Sequence, residues 1–178
     1  VVLIFDEIQC GLGRTGTLWA HEEEGVTPDL MTLAKPLAGG LPIGAVLATE
    51  AVAEVMAPGD HGSTFAAGPL VCAAAEVVLN RVAAPGFLAQ VRARGAQLQA
   101  ALAGLHHRTV VESRGRGLLW GVELTVPAAP VVAAARDRGL LIIVAGEKVV
   151  RLAPPLVVTE AHVDTAVGLL RDSLEVAS

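Results

Sequence analysis

The 178-residue sequence predicts an α/β fold in two parts: the second half of a large, mostly parallel sheet domain, followed by a small α+β domain. Three observations support this prediction. Residues 1–5 form a continuous apolar, β-rich run, typical of a parallel strand covered on both faces. Short apolar runs then alternate with loops rich in glycine and proline, as far as an alanine-rich helix. Beyond that helix, paired strands lie between longer helices.

The first part, residues 1–80, consists of short elements that glycine and proline separate. Its expected elements are a strand at 1–5, a glycine-rich loop at 7–17, a short helix at 18–24, a strand at 30–33, a loop at 36–42, a strand at 43–48, a short helix at 50–56 and a long helix at 69–81. Gly25 ends the first helix, and Gly68-Pro69 begins the last, because proline is favoured in the first turn of a helix. We expect this part to be the C-terminal portion of a large domain, including its connecting helix.

The second part, residues 81–178, has longer helices and paired strands. Its expected elements are a helix at 87–105, strands at 109–113 and 118–124, a helix at 128–138, strands at 140–144 and 149–152, and a helix from Thr159 to about Val176. Gly139 closes the middle helix and Thr159 caps the last one. We therefore expect a small C-terminal domain.

Composition argues against several classes of protein. Hydrophobic residues make up 53% of the chain and the mean hydropathy is +0.57, yet no apolar run reaches the roughly 18 residues of a membrane helix. The net charge is −5, and no basic cluster is present to bind nucleic acid. Cys10 and Cys72 lie too far apart to indicate a metal site or disulfide framework, and the histidines have no metal-ligand spacing. We expect buried free thiols in a cytoplasmic protein that binds no metal, nucleic acid or membrane.

The apolar excess predicts a surface that packs on residues outside this chain. The sequence begins Val1-Val2-Leu3-Ile4-Phe5, with neither a methionine nor the basic segment of a signal peptide. We expect this apolar run to be part of a buried strand that begins before Val1. We therefore expect the chain to be the C-terminal portion of a longer protein.

Lys35 and Asp6 are the residues with the most distinctive chemistry. Lys35 follows a short apolar strand and precedes Pro36 and Gly39-Gly40, where glycine lets the backbone approach a ligand. We expect Lys35 to be buried at the end of this strand, where burial lowers the pKa of its amine and favours the neutral, nucleophilic form. Asp6 ends the first strand, at the sheet edge where α/β proteins bind ligands. Enzymes that use pyridoxal phosphate (PLP) need a lysine to form a Schiff base with the cofactor and an aspartate to keep its pyridine nitrogen protonated. The pair therefore predicts PLP as the cofactor.

Two alternative interpretations of this region, both as a nucleotide-binding site, are weaker than the PLP interpretation. An apolar strand ending in Asp6-Glu7 is also typical of P-loop ATPases, but the chain has no Gly-x-x-x-x-Gly-Lys-Ser/Thr. The loop Gly11-Leu12-Gly13-Arg14-Thr15-Gly16 matches the dinucleotide pattern Gly-x-Gly-x-x-Gly, but it is separated from the strand, and Pro28 precedes any long helix. We interpret these glycines as loop residues near the cofactor.

Three further residues have two interpretations each. Ser63 and Thr64 lie just before the helix that begins at Gly68-Pro69, so their hydroxyls are candidates either for binding phosphate or for capping the helix. Arg151 lies among apolar residues and needs an anionic partner. That partner is either a substrate carboxylate, held by paired hydrogen bonds, or an acidic side chain of the protein.

Six segments resemble the class-III, fold-type-I, PLP-dependent aminotransferases. They are residues 5–16, 27–29, 34–45, 61–65, 114–119 and 151–156. The resemblance covers essentially the whole chain in the right order, and within the family it is greatest to the acetylornithine aminotransferases, with the ornithine aminotransferases next. It implies the type-I PLP-dependent transferase fold, in which residues 1–80 belong to the large PLP-binding domain and 81–178 form the small domain.

The resemblance also implies a role for each cofactor-binding candidate. Asp6 would pair with the pyridine nitrogen, and Gln9 would bond the ring hydroxyl. Lys35 would be the Schiff-base lysine and the proton carrier. Thr64 would bind the phosphate of the neighbouring subunit's cofactor, in a homodimer with shared active sites.

On the substrate side, the resemblance places Ser63 near the substrate and Arg151 on the carboxylate of glutamate or 2-oxoglutarate. The implied reaction moves the terminal amino group of an N-acetylornithine-like donor to 2-oxoglutarate, giving a semialdehyde and glutamate, as in arginine biosynthesis. The alternatives are another class-III PLP enzyme, acting on ornithine, 4-aminobutyrate or a lysine-pathway compound or as an aminomutase or decarboxylase, and a fragment that is inactive without its N-terminal half.

Two departures from the family pattern are visible. Ala66-Ala67-Gly68-Pro69 stands where the family commonly has Gly-Gly-Asn-Pro, and Pro36 stands where it often has another residue. Neither departure removes a catalytic group.

Overall fold

The computed structural model describes residues 1–177 and divides into two compact units, one covering Val1–Leu88 and the other starting at Ala89. The first unit contains strands β1 (Ile4–Asp6), β2 (Leu30–Leu33) and β3 (Ala45–Ala48) and helices α1 (Glu50–Ala53) and α2 (Pro69–Ala83). Helix α3 (Pro85–Ala103) begins in the first unit. The remaining elements are β4 (Val110–Arg116), β5 (Leu119–Leu124), α4 (Ala129–Asp137), β6 (Ile143–Ala145), β7 (Val149–Leu152) and α5 (Glu160–Leu174). The assignment of domains at residue 80 stays a prediction.

The sheet of the first unit has the order β1-β2-β3, which gives the α/β character that the sequence predicts. Strands β1 and β2 are parallel, with Asp6 opposite Thr32. Strand β3 runs antiparallel to β2. The carboxyl ends of β1 and β2 therefore meet at one edge of the sheet, where ligands bind in α/β proteins.

The expectation of a buried strand over residues 1–5 is wrong for this chain. Strand β1 covers only Ile4–Asp6, and Ile4 is 59% exposed. The physical reason is that β1 is an edge strand: β2 pairs with one side of it, and no residue in 1–177 pairs with the other. The apolar side chains that precede it, Val1, Val2 and Leu3, are exposed as well.

The core of the first unit fixes the turn that follows β2. Leu12, Met31, Leu33 and Leu37 form a buried cluster. Ala75 and Leu79 of α2 are among the apolar side chains that pack against it. The turn containing Leu37 is thus held between the sheet and a helix.

Two loops contain short 3₁₀ turns. One covers Ala20–Glu24, in place of the expected helix at 18–24, and ends as predicted at Gly25, whose φ is 63°. The other covers Lys35–Ala38, at the start of the expected loop, and ends at Gly39 with φ 65°. Proline in the first turn and glycine in the left-handed position favour a single tight turn.

Helix α2 confirms the predicted long helix but buries little of its surface. Of its residues only Val82 is buried, while Leu70 is 75% and Val77 69% exposed. Within residues 1–177, no single helix is both long and apolar enough to cross a membrane, although α2 and α3 together pass that test as a bent pair.

The second unit is an antiparallel sheet of order β4-β5-β7-β6 with helices packed on it. Burial alternates along β5, and Val122 and Val150 on neighbouring strands are fully buried. The predicted cap of α5 is confirmed, because Thr159 Oγ1 accepts a hydrogen bond from the His162 N–H at 3.3 Å. Strand β6 starts later than expected, because the Leu140 N–H donates to Ala135 O at 2.8 Å and so belongs to the end of α4.

Candidate active site

The structure brings three of the predicted site residues to the carboxyl edge of β1 and β2. Asp6 is the last residue of β1, and Gln9 lies in the turn that follows it. Lys35 lies two positions beyond the end of β2. Parallel pairing of the two strands is what puts these residues, far apart in sequence, at the same edge.

Lys35 is held by its side chain and its backbone. Its Nζ donates a hydrogen bond to Gln9 Oε1 at 2.8 Å. Its φ is 37°, in the left-handed region that residues other than glycine rarely adopt, and the following Pro36 restricts it further. The Leu37 N–H closes the turn by donating to Ala34 O at 2.9 Å. Backbone strain of this kind is commonly found at functional residues.

The expectation that Lys35 is buried is wrong for this chain. Its side chain is exposed, as are Gly39, Gly40 and Leu41 just beyond it. In the preceding strand β2 only Met31 and Leu33 are buried. The side chains that cover this strand do not extend over Lys35.

Asp6 presents one carboxylate oxygen to the protein and leaves the other for a partner. Its Oδ1 accepts hydrogen bonds from the Ile8 N–H at 2.9 Å and from Thr32 Oγ1 at 3.3 Å. Within residues 1–177, Oδ2 has no hydrogen bond, and Asp6 forms no ion pair with Lys35. Sequence reasoning missed Thr32, although a lone threonine inside an apolar strand was the signal available.

Glu7 and His21 form a second polar group beside the site, which sequence reasoning missed. The Glu7 side chain is buried, and its carboxylate accepts hydrogen bonds from the Ala20 N–H, the His21 N–H and His21 Nδ1 at 2.9 to 3.0 Å. Burial raises the pKa of the Glu7 carboxyl, but these hydrogen bonds outweigh burial and leave that pKa below its ordinary value. Glu7 is therefore a buried anion.

The glycine-rich loop also contains a thiol and an arginine whose pKa values are shifted. Burial, together with the charge of Glu7, raises the pKa of the Cys10 thiol, so the thiol stays protonated. Burial also lowers the pKa of the half-buried Arg14 guanidinium. Both cysteines are free, but the expectation that both are buried is wrong, because Cys10 is half-buried and Cys72 is exposed.

Ser63 and Thr64 do not cap α2, so that interpretation of the two hydroxyls is wrong. The N-cap residue is Gly68, and no side chain caps the helix. Ser63 Oγ instead accepts a hydrogen bond from the Ala66 N–H at 3.2 Å, within the turn before the helix. Thr64 is exposed.

Arg151 lies in the second unit, on β7, opposite Gly121 of β5 and Ile143 of β6. Its Nε atom is buried and has no hydrogen-bond partner. Arg151 has no ion pair with any residue in 1–177, so the internal salt bridge that the sequence left open is not formed. A buried guanidinium nitrogen without a partner is costly, and an anionic ligand would remove that cost.

Comparison with known proteins assigns the family. The family model described as aminotransferase class-III matches residues 1–174. The chain belongs to the class-III aminotransferases. The resemblance predicted from the six sequence segments is thereby confirmed, and with it the type-I fold and a PLP-dependent aminotransferase family. The P-loop and dinucleotide interpretations are not needed.

Three relatives illustrate the similarity. The mitochondrial acetylornithine aminotransferase of Alnus glutinosa is 55% identical over 178 residues, covering 97% of this chain and 39% of that protein. Acetylornithine aminotransferase 1 of Bradyrhizobium diazoefficiens is 50% identical over 173 residues, covering 96% of this chain and 43% of that protein. The crystal structure of the ornithine aminotransferase from Toxoplasma gondii ME49 matches with a TM-score of 0.92 and 36% identity, covering 99% of this chain and 44% of that one. This chain therefore spans about two-fifths of the length of the relatives it matches.

The residues at the edge of β1 and β2 fit the family's cofactor. A carboxylate with one free oxygen at Asp6 suits a protonated pyridine nitrogen, and an amide at Gln9 suits a ring hydroxyl. The exposed amine of Lys35 suits an aldehyde. The polar groups at this edge of the sheet therefore match the polar groups of PLP.

Proposed function

We propose that this chain is the C-terminal portion of an enzyme that moves the terminal amino group of an N-acetylornithine-like donor to 2-oxoglutarate, giving a semialdehyde and glutamate. The observation that carries the proposal is the arrangement at the edge of β1 and β2, where the Lys35 amine bonds Gln9 beside an Asp6 carboxylate with one oxygen free. When bound there, PLP supplies an electron-withdrawing ring that stabilises negative charge on the substrate carbon.

Each of the three residues at this edge then has a role of its own. Asp6, oriented by Ile8 and Thr32, presents Oδ2 to the pyridine nitrogen and stabilises its protonated form. Gln9, which here accepts a bond from Lys35, would hold the ring hydroxyl of the cofactor. Lys35 would hold the cofactor through its aldehyde and, when the substrate amine takes its place there, its free amine would carry a proton to and from the substrate carbon.

The substrate side of the proposal rests on Arg151, with Ser63 and Thr64. The unpartnered Nε of Arg151 supports a role in holding the carboxylate of glutamate or 2-oxoglutarate. We assign Ser63 to the substrate's surroundings and Thr64 to the phosphate of the cofactor in a second copy of the chain, in a homodimer with shared sites. The exposed Thr64 hydroxyl is open to such a partner.

The choice of amino donor rests on the names of the relatives. The two curated relatives described above are acetylornithine aminotransferases, with higher identity than the ornithine aminotransferase structure. The main alternative is therefore another class-III enzyme acting on ornithine, 4-aminobutyrate or a lysine-pathway compound. We keep a cytoplasmic location as a prediction, while noting that the Alnus glutinosa relative is named as mitochondrial.

Reductive trapping tests the cofactor lysine, because Lys35 and Lys148 are the two lysines of the sequence. The chain is incubated with PLP, reduced with borohydride and mapped by mass spectrometry. We expect an adduct on Lys35 that is absent from Lys35→Ala and unchanged in the matched variant Lys148→Ala. Equal labelling of both lysines would contradict a selective site.

Glutamate formation tests the reaction and the donor. The chain, loaded with PLP, is given 2-oxoglutarate with N-acetylornithine, ornithine or 4-aminobutyrate in parallel. N-Acetylornithine should give the fastest glutamate formation, and Arg151→Gln should raise the KM for 2-oxoglutarate more than it lowers kcat. Turnover of the donor without 2-oxoglutarate would instead favour a decarboxylase or aminomutase.

A second candidate is a fragment that is inactive until joined by the N-terminal portion found in its relatives. The exposed apolar side chains of β1 and α2 favour it, because such surfaces usually pack on a partner. Sedimentation velocity, combined with the glutamate assay on the same sample, distinguishes these two candidate functions. A homodimer that forms glutamate supports the first candidate, whereas aggregation or an inactive monomer supports the second.

A further inference from the structure

The Glu7 carboxylate is the most enclosed charged group of the first unit. Its residue is 4% exposed, and both oxygens are used: Oε2 accepts from the Ala20 N–H at 2.9 Å, and Oε1 accepts from the His21 N–H at 3.0 Å and His21 Nδ1 at 2.9 Å. The acceptor lies 13 and 14 positions before its donors in the sequence. These bonds close the whole glycine-rich loop against the end of β1.

The backbone of Glu7 is fixed as firmly as its side chain. Its N–H donates to Thr32 O of β2 at 3.0 Å, and its carbonyl accepts from the Gly11 N–H at 2.9 Å. A Cβ on Gly11 would lie 2.7 Å from Glu7 O, so only glycine permits this approach. Asp6 directly precedes Glu7 in the sequence. Gln9 lies in the turn that the hydrogen bond between the Gly11 N–H and Glu7 O closes.

We propose that Glu7, together with His21, is a positioning residue that holds Asp6 and Gln9 where Lys35 needs them. The inference deepens the proposed function, because it takes Lys35 as the cofactor lysine. In residues 1–177, the Glu7 side chain forms no hydrogen bond or ion pair with any of these three side chains. It acts by tying the turn at residues 20–21 to the end of β1, so that the segment between them presents the Gln9 amide to the Lys35 amine.

The charge of Glu7 is essential to this role. All three strong partners of the carboxylate are N–H groups, so both oxygens must accept. In Glu7→Gln one oxygen becomes an NH₂ group, which donates and therefore opposes an N–H donor at the same place. The substitution keeps the shape of the side chain but removes the hydrogen bonds that one of the two carboxylate oxygens accepts.

Lysine methylation tests the proposal without the cofactor, so its failure is distinct from a failure of the proposed function. Reductive methylation with ¹³C-formaldehyde labels the two lysines and the terminal amine, and the signals missing from Lys35→Arg and Lys148→Arg assign the methyl signals of Lys35 and Lys148. Gln9→Ala defines the Lys35 signal after loss of the Gln9 bond. We expect the signal in Glu7→Gln to move most of the way to that position, while the Lys148 signal stays unchanged.

Glu22→Gln is the matched control, because Glu22 is an exposed carboxylate on the same loop whose side chain accepts one bond, from the Leu18 N–H at 3.1 Å. Its Lys35 signal should stay at the wild-type position. A purely structural Glu7 would lower the unfolding midpoint and leave the Lys35 signal of the folded protein in place, and that result would overturn the proposal.

Two substitutions of His21 keep the test decisive if Glu7→Gln does not fold. His21→Leu removes the Nδ1 bond but keeps both backbone bonds to Glu7, so it should shift the Lys35 signal in the same direction by a smaller amount. His21→Asn places an amide nitrogen where Nδ1 lies and should restore the wild-type signal. Identical Lys35 signals in wild type, His21→Leu and His21→Asn would contradict the role of His21.

Discussion

The two units differ in how far each buries its own apolar residues. Among residues 1–177, seven buried apolar residues lie in the first unit and eighteen in the second. The exposed large apolar residues show the reverse, with thirteen in the first unit and six in the second. The second unit therefore has a core of its own, whereas the first leaves much apolar surface in contact with solvent.

The less covered unit is also the one that contains the candidate cofactor site. Its three residues other than glycine with positive φ, Leu12, Lys35 and Ala67, are the only ones in residues 1–177. Strained backbone persists where the surrounding structure enforces it, and such places are commonly functional. In this chain most of the buried apolar residues lie in one unit and the candidate cofactor residues Asp6, Gln9 and Lys35 lie in the other, which leaves more of its apolar surface exposed.

The largest expected effect is in the core of the second unit. Leu170 on α5 is fully buried, so Leu170→Ala should lower the free energy of unfolding of that unit by about 3 kcal/mol, through lost apolar contact and the cavity left behind. Denaturant unfolding followed by the fluorescence of Trp120, in a Trp19→Phe background, reports on this unit.

Leu70→Ala is the matched control in the first unit, because Leu70 is a helical leucine that is 75% exposed. Its effect on unfolding, followed through Trp19 in a Trp120→Phe background, should stay below about 0.5 kcal/mol. Equal effects of the two substitutions would break the comparison, because they would show that Leu70 is covered in solution.

The next effect concerns the buried anion of the first unit. Glu7→Gln should lower the stability of that unit at pH 7 by about 2 kcal/mol, because hydrogen bonds to a charged group are lost. Since the pKa of Glu7 is lowered on folding, its contribution is complete above the unfolded pKa of about 4.3 and is lost as the pH falls through the native pKa. The stability gap between wild type and Glu7→Gln should therefore narrow below about pH 4.

Trp19 fluorescence in the Trp120→Phe background measures this gap from pH 7 to pH 3. Glu22→Gln, with its exposed carboxylate, should show only a small gap over the same range. A gap for Glu7→Gln that widens in acid would mean that folding raises the pKa of this carboxyl, which would contradict the lowered pKa that its three N–H partners produce.

What the sequence could predict depended on whether the signal was local. The cap at Thr159 and the left-handed glycines at Gly25 and Gly139 were predicted correctly, because caps and turns are set by residues a few positions apart. Asp6 and Lys35 were found because each ends a recognisable apolar strand. Their placement at one edge follows from parallel pairing, which the fold class already implied.

The remaining features depended on contacts that no local pattern reveals. The Glu7–His21 bond spans fourteen positions, and nothing at His21 itself marks it as the partner of a buried carboxylate. The sequence predicted burial for Ile4 and Lys35, and both are exposed. An apolar run predicts that a strand is buried, but it does not identify the residues that pack on the strand. The sequence left Arg151 with two possible anionic partners, and only the structure excluded an acidic side chain within residues 1–177.

The smallest expected effect is a gain of stability at the strained turn before α2. Ala67 has φ 54°, where a Cβ is unfavourable and glycine is not, and the resemblance to the family places a glycine there. Ala67→Gly should raise the free energy of unfolding of the first unit by about 0.5 to 1 kcal/mol, since relief of strain exceeds the added entropy of the unfolded chain. Ala66→Gly, next to it and without a positive φ, adds the same entropy without relieving strain and should lower stability by a similar amount. Unfolding followed through Trp19 compares the two, and a loss of stability in both would show that the turn around Ala67 relaxes in solution, which would remove one of the three strained positions that distinguish the first unit.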